Sequence, residues 1–465
     1  MHTPSRKILS LLLACSLIAG TSVLCGCDDF RPRRIEPSAS TTLGPPHSAT
    51  TEATTTEEPA ATPTPDPDPD HAAMQEALEL AAKHSLSEDD LRGRYDLFVR
   101  FCRNVENNGR LGEFADYVYL LFPMIADHIK AESEDYFLAK VGSLKIQSWK
   151  IQRNHAGEYE QSDNTVTINS LYLESDDMSY MATVMHELTH FVDTNIDGPV
   201  EKVTFTTDHA YPINDVPKDQ QGSLIGSSDV EFLVEGGAEL YIAKYFTHYT
   251  RHYTPAVQFL TGLEYLCGSE LLDEVFFAHD SAYVLSEYLI SQGFSPEELI
   301  YFYTTMYAMC YWKTPTGTVL RPEDVLIRLY EKLRGSDFRA DPTFCYILSS
   351  IYKEDFGFDV FPSPNEEFLK SNLLSYEDNQ AFFYPILQQL DDLPPLQFYA
   401  TQICCLYLDG KLYLAAEVSR YDGDDDDTND DPGAPHEALV IDYDFETRVA
   451  SSYELFMPPM VELNG

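Results

Sequence analysis

Residues 186–190 read His186-Glu187-Leu188-Thr189-His190, and this short run constrains the fold more than any other in the chain. In an α-helix, residues four apart share a face, so the two imidazoles point at one spot with Glu187 beside it. That pattern suits a metal hydrolase, but only if the segment is helical and a further ligand arrives from elsewhere. The helical spacing is present: Met181, Val184, Leu188 and Val192 recur on one face, and Ser175, Asp176 and Asp177 supply a cap and first-turn acids. The plainer reading is a pair of core histidines beside a surface glutamate. It asks the core to accept two imidazoles and a carboxylate without a partner for their polar atoms, which is costly.

A second segment offers the missing ligand. Residues 232–241 read Phe-Leu-Val-Glu-Gly-Gly-Ala-Glu-Leu-Tyr after the capping box Ser228-Asp229-Val230-Glu231, so Glu235 and Glu239 lie one turn apart on a second helix. Glu235 is the expected ligand. Glu239 is placed to accept a hydrogen bond from the outer nitrogen of a ligand histidine and so fix its tautomer. A solvated acidic face, or exchanged roles for the two glutamates, are the alternatives. Gly236 and Gly237 each cost roughly 1 kcal/mol inside a helix relative to Ala, which makes sense if another helix must approach closely there. Asp193, three residues after His190, is another candidate third ligand, but no glycine-bearing continuation follows it.

His-Glu-Leu-Thr-His followed by Val-Glu-Gly-Gly-Ala-Glu-Leu resembles the gluzincin clan of zinc metallopeptidases, which includes thermolysin-like proteases and zinc aminopeptidases. Less specifically, Ala156-Gly157-Glu158-Tyr159 with Asn164-Thr165-Val166-Thr167-Ile168-Asn169 is similar to the edge strand on which such enzymes bind an extended substrate. The resemblance spans roughly 145–300. It implies that His186, His190 and Glu235 bind Zn2+, that Glu187 is the general base and proton shuttle, and that the substrate is a peptide or protein. An oxyanion donor is also needed, and Asp280-Ser281-Ala282-Tyr283-Val284-Leu285 resembles the segment that supplies a tyrosine in aminopeptidase relatives. Tyr283 is the residue implied, with His279, Tyr288 and His209 as alternatives. Two features depart from the pattern. Forty-four residues separate His190 from Glu235, so a loop such as 197–226 must lie between the helices, and Glu239 stands where the family often has the shorter Asp.

The chain begins with the three parts of an export signal: Arg6 and Lys7, an apolar stretch from Ile8 to Leu24, and small residues before Cys27. Leu24-Cys25-Gly26-Cys27 resembles a bacterial lipobox, which implies a signal peptide over 1–26, lipidation at Cys27 and an extracytoplasmic protein held to the membrane by that lipid alone. An uncleaved signal anchor is the other reading, and the apolar run is on the short side of the roughly 20 residues a span needs. From Ile35 to Asp70 there are 8 Pro and 9 Thr in 36 positions and no aromatic residue, too little apolar surface to offset the entropy of folding. The segment 27–70 is therefore expected to be a disordered tether, stiffened where Pro63 to Asp70 alternates proline with polar residues. A formal net charge of −45 repels phosphate backbones and excludes nucleic acid as a partner.

The folded part is expected to be α+β and mostly helical. It divides into an N-terminal helical region (71–140), a zincin-like catalytic domain with a small sheet (141–390) and a C-terminal β-rich subdomain (391–465). Strand signals lie at Leu144–Ile146, Thr165–Ile168, Gln397–Leu408, Lys411–Val418, Ala438–Asp442 and Val449–Phe456, with Asp409-Gly410 as a hairpin turn. Ser295-Pro296-Glu297-Glu298 reads as a capping box after a stop at Gly293. Six cysteines remain after the leader and Cys27, none in a C-x-x-C spacing, and buried free thiols are expected. The acidic run Asp422–Asp431 lacks the glycine and terminal glutamate of an EF-hand and reads as a solvated loop. The leading function is thus a surface-anchored zinc peptidase. The alternative is an inactive zincin scaffold serving as a binding or adhesion lipoprotein, which would hold zinc without turnover.

Overall fold

The structure, a computed structural model, describes residues 69–149, 156–170, 177–199, 231–247, 253–277, 281–310, 318–351, 384–394, 396–398, 404–408, 410–420 and 436–456. The leader, Cys27 and all of the tether but its last two residues lie outside them. The protein is mostly helical with two small sheets, an α+β architecture. Among the described residues no helix is long and apolar enough to cross a membrane.

Among the described residues the first five α-helices are α1 (Pro69–Lys83), α2 (Tyr95–Asn107), α3 (Ala115–Leu120), α4 (Phe122–His128) and α5 (Glu134–Ser143). Proline suits the first helical position because its missing N–H would have no partner there, and α1 therefore starts at Pro69, inside the expected end of the tether. Helical spacing in this region runs through Met74, Leu78, Leu80 and Ala81, then Leu91, Tyr95, Phe98, Val99 and Cys102, then Phe114, Val118, Leu121 and Ile125; Met74, Leu78, Leu80 and Tyr95 are half-buried and the others are buried. A three-stranded sheet follows: β1 (Lys145–Trp149), β2 (Gly157–Glu160) and β3 (Thr165–Asn169), ordered β1-β3-β2. β1 runs parallel to β3, and β2 pairs antiparallel with it through the register Gly157↔Ile168 to Glu160↔Thr165. The hairpin turns at Asn164, whose φ of 55° suits asparagine, and the Asn164 amide donates to the Lys140 carbonyl at 2.8 Å.

Next come α6 (Asp177–Ile196) and α7 (Glu231–Ile242), the latter continuing into a π-helical turn over Ala243–Thr247. The rest of the helical part comprises α8 (Thr254–Cys267), α9 (Ser269–Phe277), α10 (Ser281–Ser291), α11 (Pro296–Cys310), α12 (Pro322–Arg334), α13 (Pro342–Ile351) and the short α14 (Tyr384–Leu387). The capping box before α11 forms as its sequence predicts: Ser295 N–H donates to Glu298 Oε2 at 2.8 Å and Glu298 N–H to Ser295 Oγ at 3.2 Å. Gly293, at φ 93°, closes α10.

The C-terminal antiparallel sheet holds β4 (Leu396–Phe398), β5 (Cys404–Leu408), β6 (Lys411–Arg420), β7 (His436–Asp444) and β8 (Val449–Phe456). The expected single strand from 397 to 408 is in fact two. Both pair antiparallel with β6: β4 from Leu396↔Arg420 to Phe398↔Val418, and β5 from Cys404↔Ala415 to Leu408↔Lys411. This sheet packs onto α8 and α13, with Tyr265 edge-on to Tyr407 and Tyr346 against Phe445, so its core is continuous with that of the helices. Cys102, Cys310, Cys345 and Cys405 are buried free thiols, as expected, and Cys267 is free and half-buried.

The two glycines of α7 stand where neighbouring helices come close. A Cβ at Gly236 would lie 2.4 Å from the Ala256 Cβ on α8, and one at Gly237 would lie 2.2 Å from the Phe276 ring on α9. Gly237→Ala is therefore expected to destabilise the protein by about 1–3 kcal/mol through overpacking, outweighing the ~1 kcal/mol gain in helix propensity. The midpoint of urea unfolding reads the sign directly, and a more stable variant would show that the contact yields.

Candidate metal centre

α6 and α7 pack face to face and bring the sequence-predicted residues together. His186 Nε2 lies 2.9 Å from Glu235 Oε2 and 3.0 Å from His190 Nε2, and His190 Nε2 lies 3.6 Å from the same Glu235 oxygen. One ligand atom from each residue falls within 4.8 Å of the others, and all three residues are buried. On the outer side of the ring, His186 Nδ1 lies 3.0 Å from Glu239 Oε1. A proton on Nδ1 donated to Glu239 leaves the Nε2 lone pair facing inward. Glu235 thus lies on the Nε2 side of His186 and Glu239 on its Nδ1 side.

The buried polar atoms fit a cation. Two ring nitrogens face each other at hydrogen-bond distance beside a carboxylate, and among the described residues Glu235 Oε1 and Glu187 Oε2 have no hydrogen-bond partner. Burial by itself would push the Glu235 carboxyl up, yet the two histidines outweigh it and hold the group well below the usual carboxylate range. Glu235 is thus an anion with no exposure to solvent. For Glu187, 1 % exposed, burial dominates and pushes the carboxyl up to about 7. His186 and His190 pull it down, while Glu235 and Glu158 add repulsion. The group can hold a metal ion.

β2 closes over this cluster. A Cβ at Gly157 would stand 2.6 Å from Glu187 Cγ and 2.8 Å from its Oε1, so the strand's backbone lies directly against the Glu187 side chain. Two residues on, Tyr159 meets Phe191 edge-on, and its hydroxyl donates to Asn164 Oδ1 and accepts from Asn195 Nδ2, each at 3.0 Å. This clasp ties β2 to α6. The sequence suggested an edge strand here, but nothing in it singles out Gly157 as the residue touching Glu187, because the contact joins segments thirty residues apart.

On the far side, α7 is held by a polar network that the sequence did not flag. Tyr241 donates to Asp273 of α9, Lys244 pairs with Glu264 of α8 at 2.6 Å, and Tyr245 donates to Asp127 at 2.8 Å while lying 3.0 Å from His128 Nε2. Three titratable residues within the five positions 241–245, at the end of the ligand helix, are the local signal in the sequence.

The other candidates fare differently. Tyr283 sits in the first turn of α10, is 43 % exposed and is not one of the three grouped ligand residues. The Tyr288 hydroxyl lies 3.0 Å from Cys267 Sγ, a contact that ties it to the end of α8. His209, His279, the caps before α6 and α7, and the Asp422–Asp431 run lie outside the described residues. Asp193 does not join the ligand group. It is buried, its Oδ1 has no hydrogen-bond partner, and desolvation raises its carboxyl well above the usual range. No family model, no curated protein and no solved structure matches the chain.

Two outcomes are expected. Elemental mass spectrometry of the purified protein should find about one divalent metal ion per chain, lost in His190→Ala, with the affinity reduced about 10–100-fold in Glu239→Ala. Asp193 favours its protonated form in the folded state, so its contribution to stability is complete below the unfolded pKa of about 4 and falls as pH rises, by about 1.4 kcal/mol per unit until the folded pKa is passed. Asp193→Asn should then be more stable than the wild type at pH 7, with the difference shrinking toward pH 4 in thermal melts.

Proposed function

We propose that the protein is a zinc-dependent metallopeptidase of gluzincin type, held at the extracytoplasmic face of a membrane by a lipid on Cys27. The observation that supports this most is the buried convergence of His186, His190 and Glu235, with Glu187 next to the first ligand and the backbone of β2 against its carboxylate. Two imidazoles and one carboxylate are a donor set that suits Zn2+ and leaves room for a water. Bound there, zinc supplies a Lewis acid that acidifies this water and polarises a carbonyl.

The remaining work falls to the chain's own residues. Glu239 holds the His186 Nδ1 proton, so that Nε2 is presented as a ligand rather than a donor. Glu187 takes a proton from the attacking water and returns it to the leaving amine. Burial pushes this carboxyl up and a bound cation would pull it back down, opposing effects that suit a group that both accepts and returns a proton. β2 is the edge of its sheet, and a peptide in extended form can add to that edge as a further strand beside Glu187. Tyr283 is assigned as the oxyanion donor on the resemblance alone. In this reading the leader and the Pro/Thr-rich tether set the catalytic unit outside the cell and away from the lipid surface, and the β-rich C-terminal region accompanies the zincin-like unit.

Glu187→Gln keeps the ligands and removes the base. The variant is expected to retain zinc and lose about 10²–10⁴ in the rate of peptide hydrolysis, measured on a broad peptide library. Undiminished hydrolysis would overturn the mechanism. A wild-type protein that holds zinc and cleaves nothing would be an inactive scaffold, and binding would become its function.

A further inference from the structure

Among the described residues at the candidate site, Glu158 is a charged group without a task in the mechanism above. It follows Gly157, whose backbone lies against Glu187, and it stands opposite Thr167 on β3. Side chains alternate along a strand, so Gly157 and Tyr159 face α6 while Glu158 projects to the opposite side of the sheet, the side of Thr165 and Thr167. It is half-buried, and among the described residues its carboxylate has no hydrogen-bond or ion-pair partner. It is not part of the ligand group of His186, His190 and Glu235, but it adjoins Gly157, whose backbone meets the Glu187 side chain.

Position and charge together suggest what this carboxylate meets. The outer edge of β2 has no strand partner among the described residues, so an extended chain docking there passes Gly157 and Glu158 in succession. A carboxylate partly withdrawn from water and left unpaired is better satisfied by a cation that arrives with the ligand. The chain itself has few to spare, with 31 basic residues against 76 acidic ones.

We propose that Glu158 is a specificity-determining residue that selects peptides carrying a positively charged side chain, Lys or Arg, next to the bond presented to Glu187. This rests on the peptidase reading above. Its physical basis is complementarity across a half-buried contact, where an opposite charge is favoured and a like charge is rejected.

The test uses the full-length, zinc-loaded protein, Glu158→Gln and Glu158→Lys. Quenched fluorescent peptides differ only by Lys, Arg, Gln or Glu at single positions, each made with a free and an acetylated N-terminus. The wild type is expected to favour Lys and Arg over Gln by about tenfold in kcat/KM, a preference weakened by salt. Glu158→Gln should lose the preference and Glu158→Lys should turn it toward Glu. Equal ratios in all three proteins overturn the proposal, as does a preference that follows only the free N-terminus. If the wild type cleaves none of the peptides, the peptidase reading fails, and fluorescence anisotropy with the same set decides this proposal separately. Binding of basic peptides that vanishes in Glu158→Gln sustains it, whereas charge-blind or absent binding overturns it.

Discussion

The structure turns on an ionised carboxylate, Glu235, held entirely away from solvent between two imidazoles. An isolated charge in such a place is very costly, and it persists only where opposite charge or strong hydrogen bonding accompanies it. His186 and His190 supply part of that compensation and a metal ion would supply the rest, since Glu235 Oε1 still lacks a partner. The same convergence determines how α6 and α7 must face each other. Their packing is therefore set by electrostatics as much as by apolar burial.

To bring Glu235 and Glu239 to His186, α7 must itself be tightly enclosed. Its two consecutive glycines admit Ala256 of α8 and the Phe276 ring of α9 at distances no side chain would allow. Beyond them the helix widens into a π-helical turn, a feature often found near functional sites. There Tyr241, Lys244 and Tyr245 anchor it to α9, α8 and α4. The ligand helix is thus gripped from behind by polar contacts and from the sides by close backbone approach, which limits how far its carboxylates can drift.

The opposite wall is β2. Its backbone at Gly157 contacts Glu187, its Tyr159 is clasped to α6 through Asn195, and its Glu158 turns to the other side of the sheet. One short strand therefore supplies a contact to the candidate base, an attachment to the helix that carries it, and an unpaired charge at the edge where an extended ligand could lie. Asp193 shows the contrast: on the helix that carries Glu187, a buried carboxyl whose Oδ1 has no hydrogen-bond partner among the described residues is driven toward its neutral form by desolvation.

Periodicity and spacing were enough to place His186, Glu187 and His190 on a helix, to pair Glu235 with Glu239 on another, and to foresee a close approach at Gly236 and Gly237. These are local properties: a four-residue repeat, a cap, a backbone without Cβ. The capping box at Ser295, the stop at Gly293 and the hairpin closing at Gly410 are legible for the same reason. Tertiary structure alone decided which helices would meet the glycines, that Gly157 would rest on Glu187, and that residues 397–408 would split into two strands along β6. It also buried His186, His190 and Glu235 while leaving Tyr283 43 % exposed. Each of these depends on contacts between segments tens of residues apart, where no local pattern carries the information and only the packing of the whole chain selects a partner.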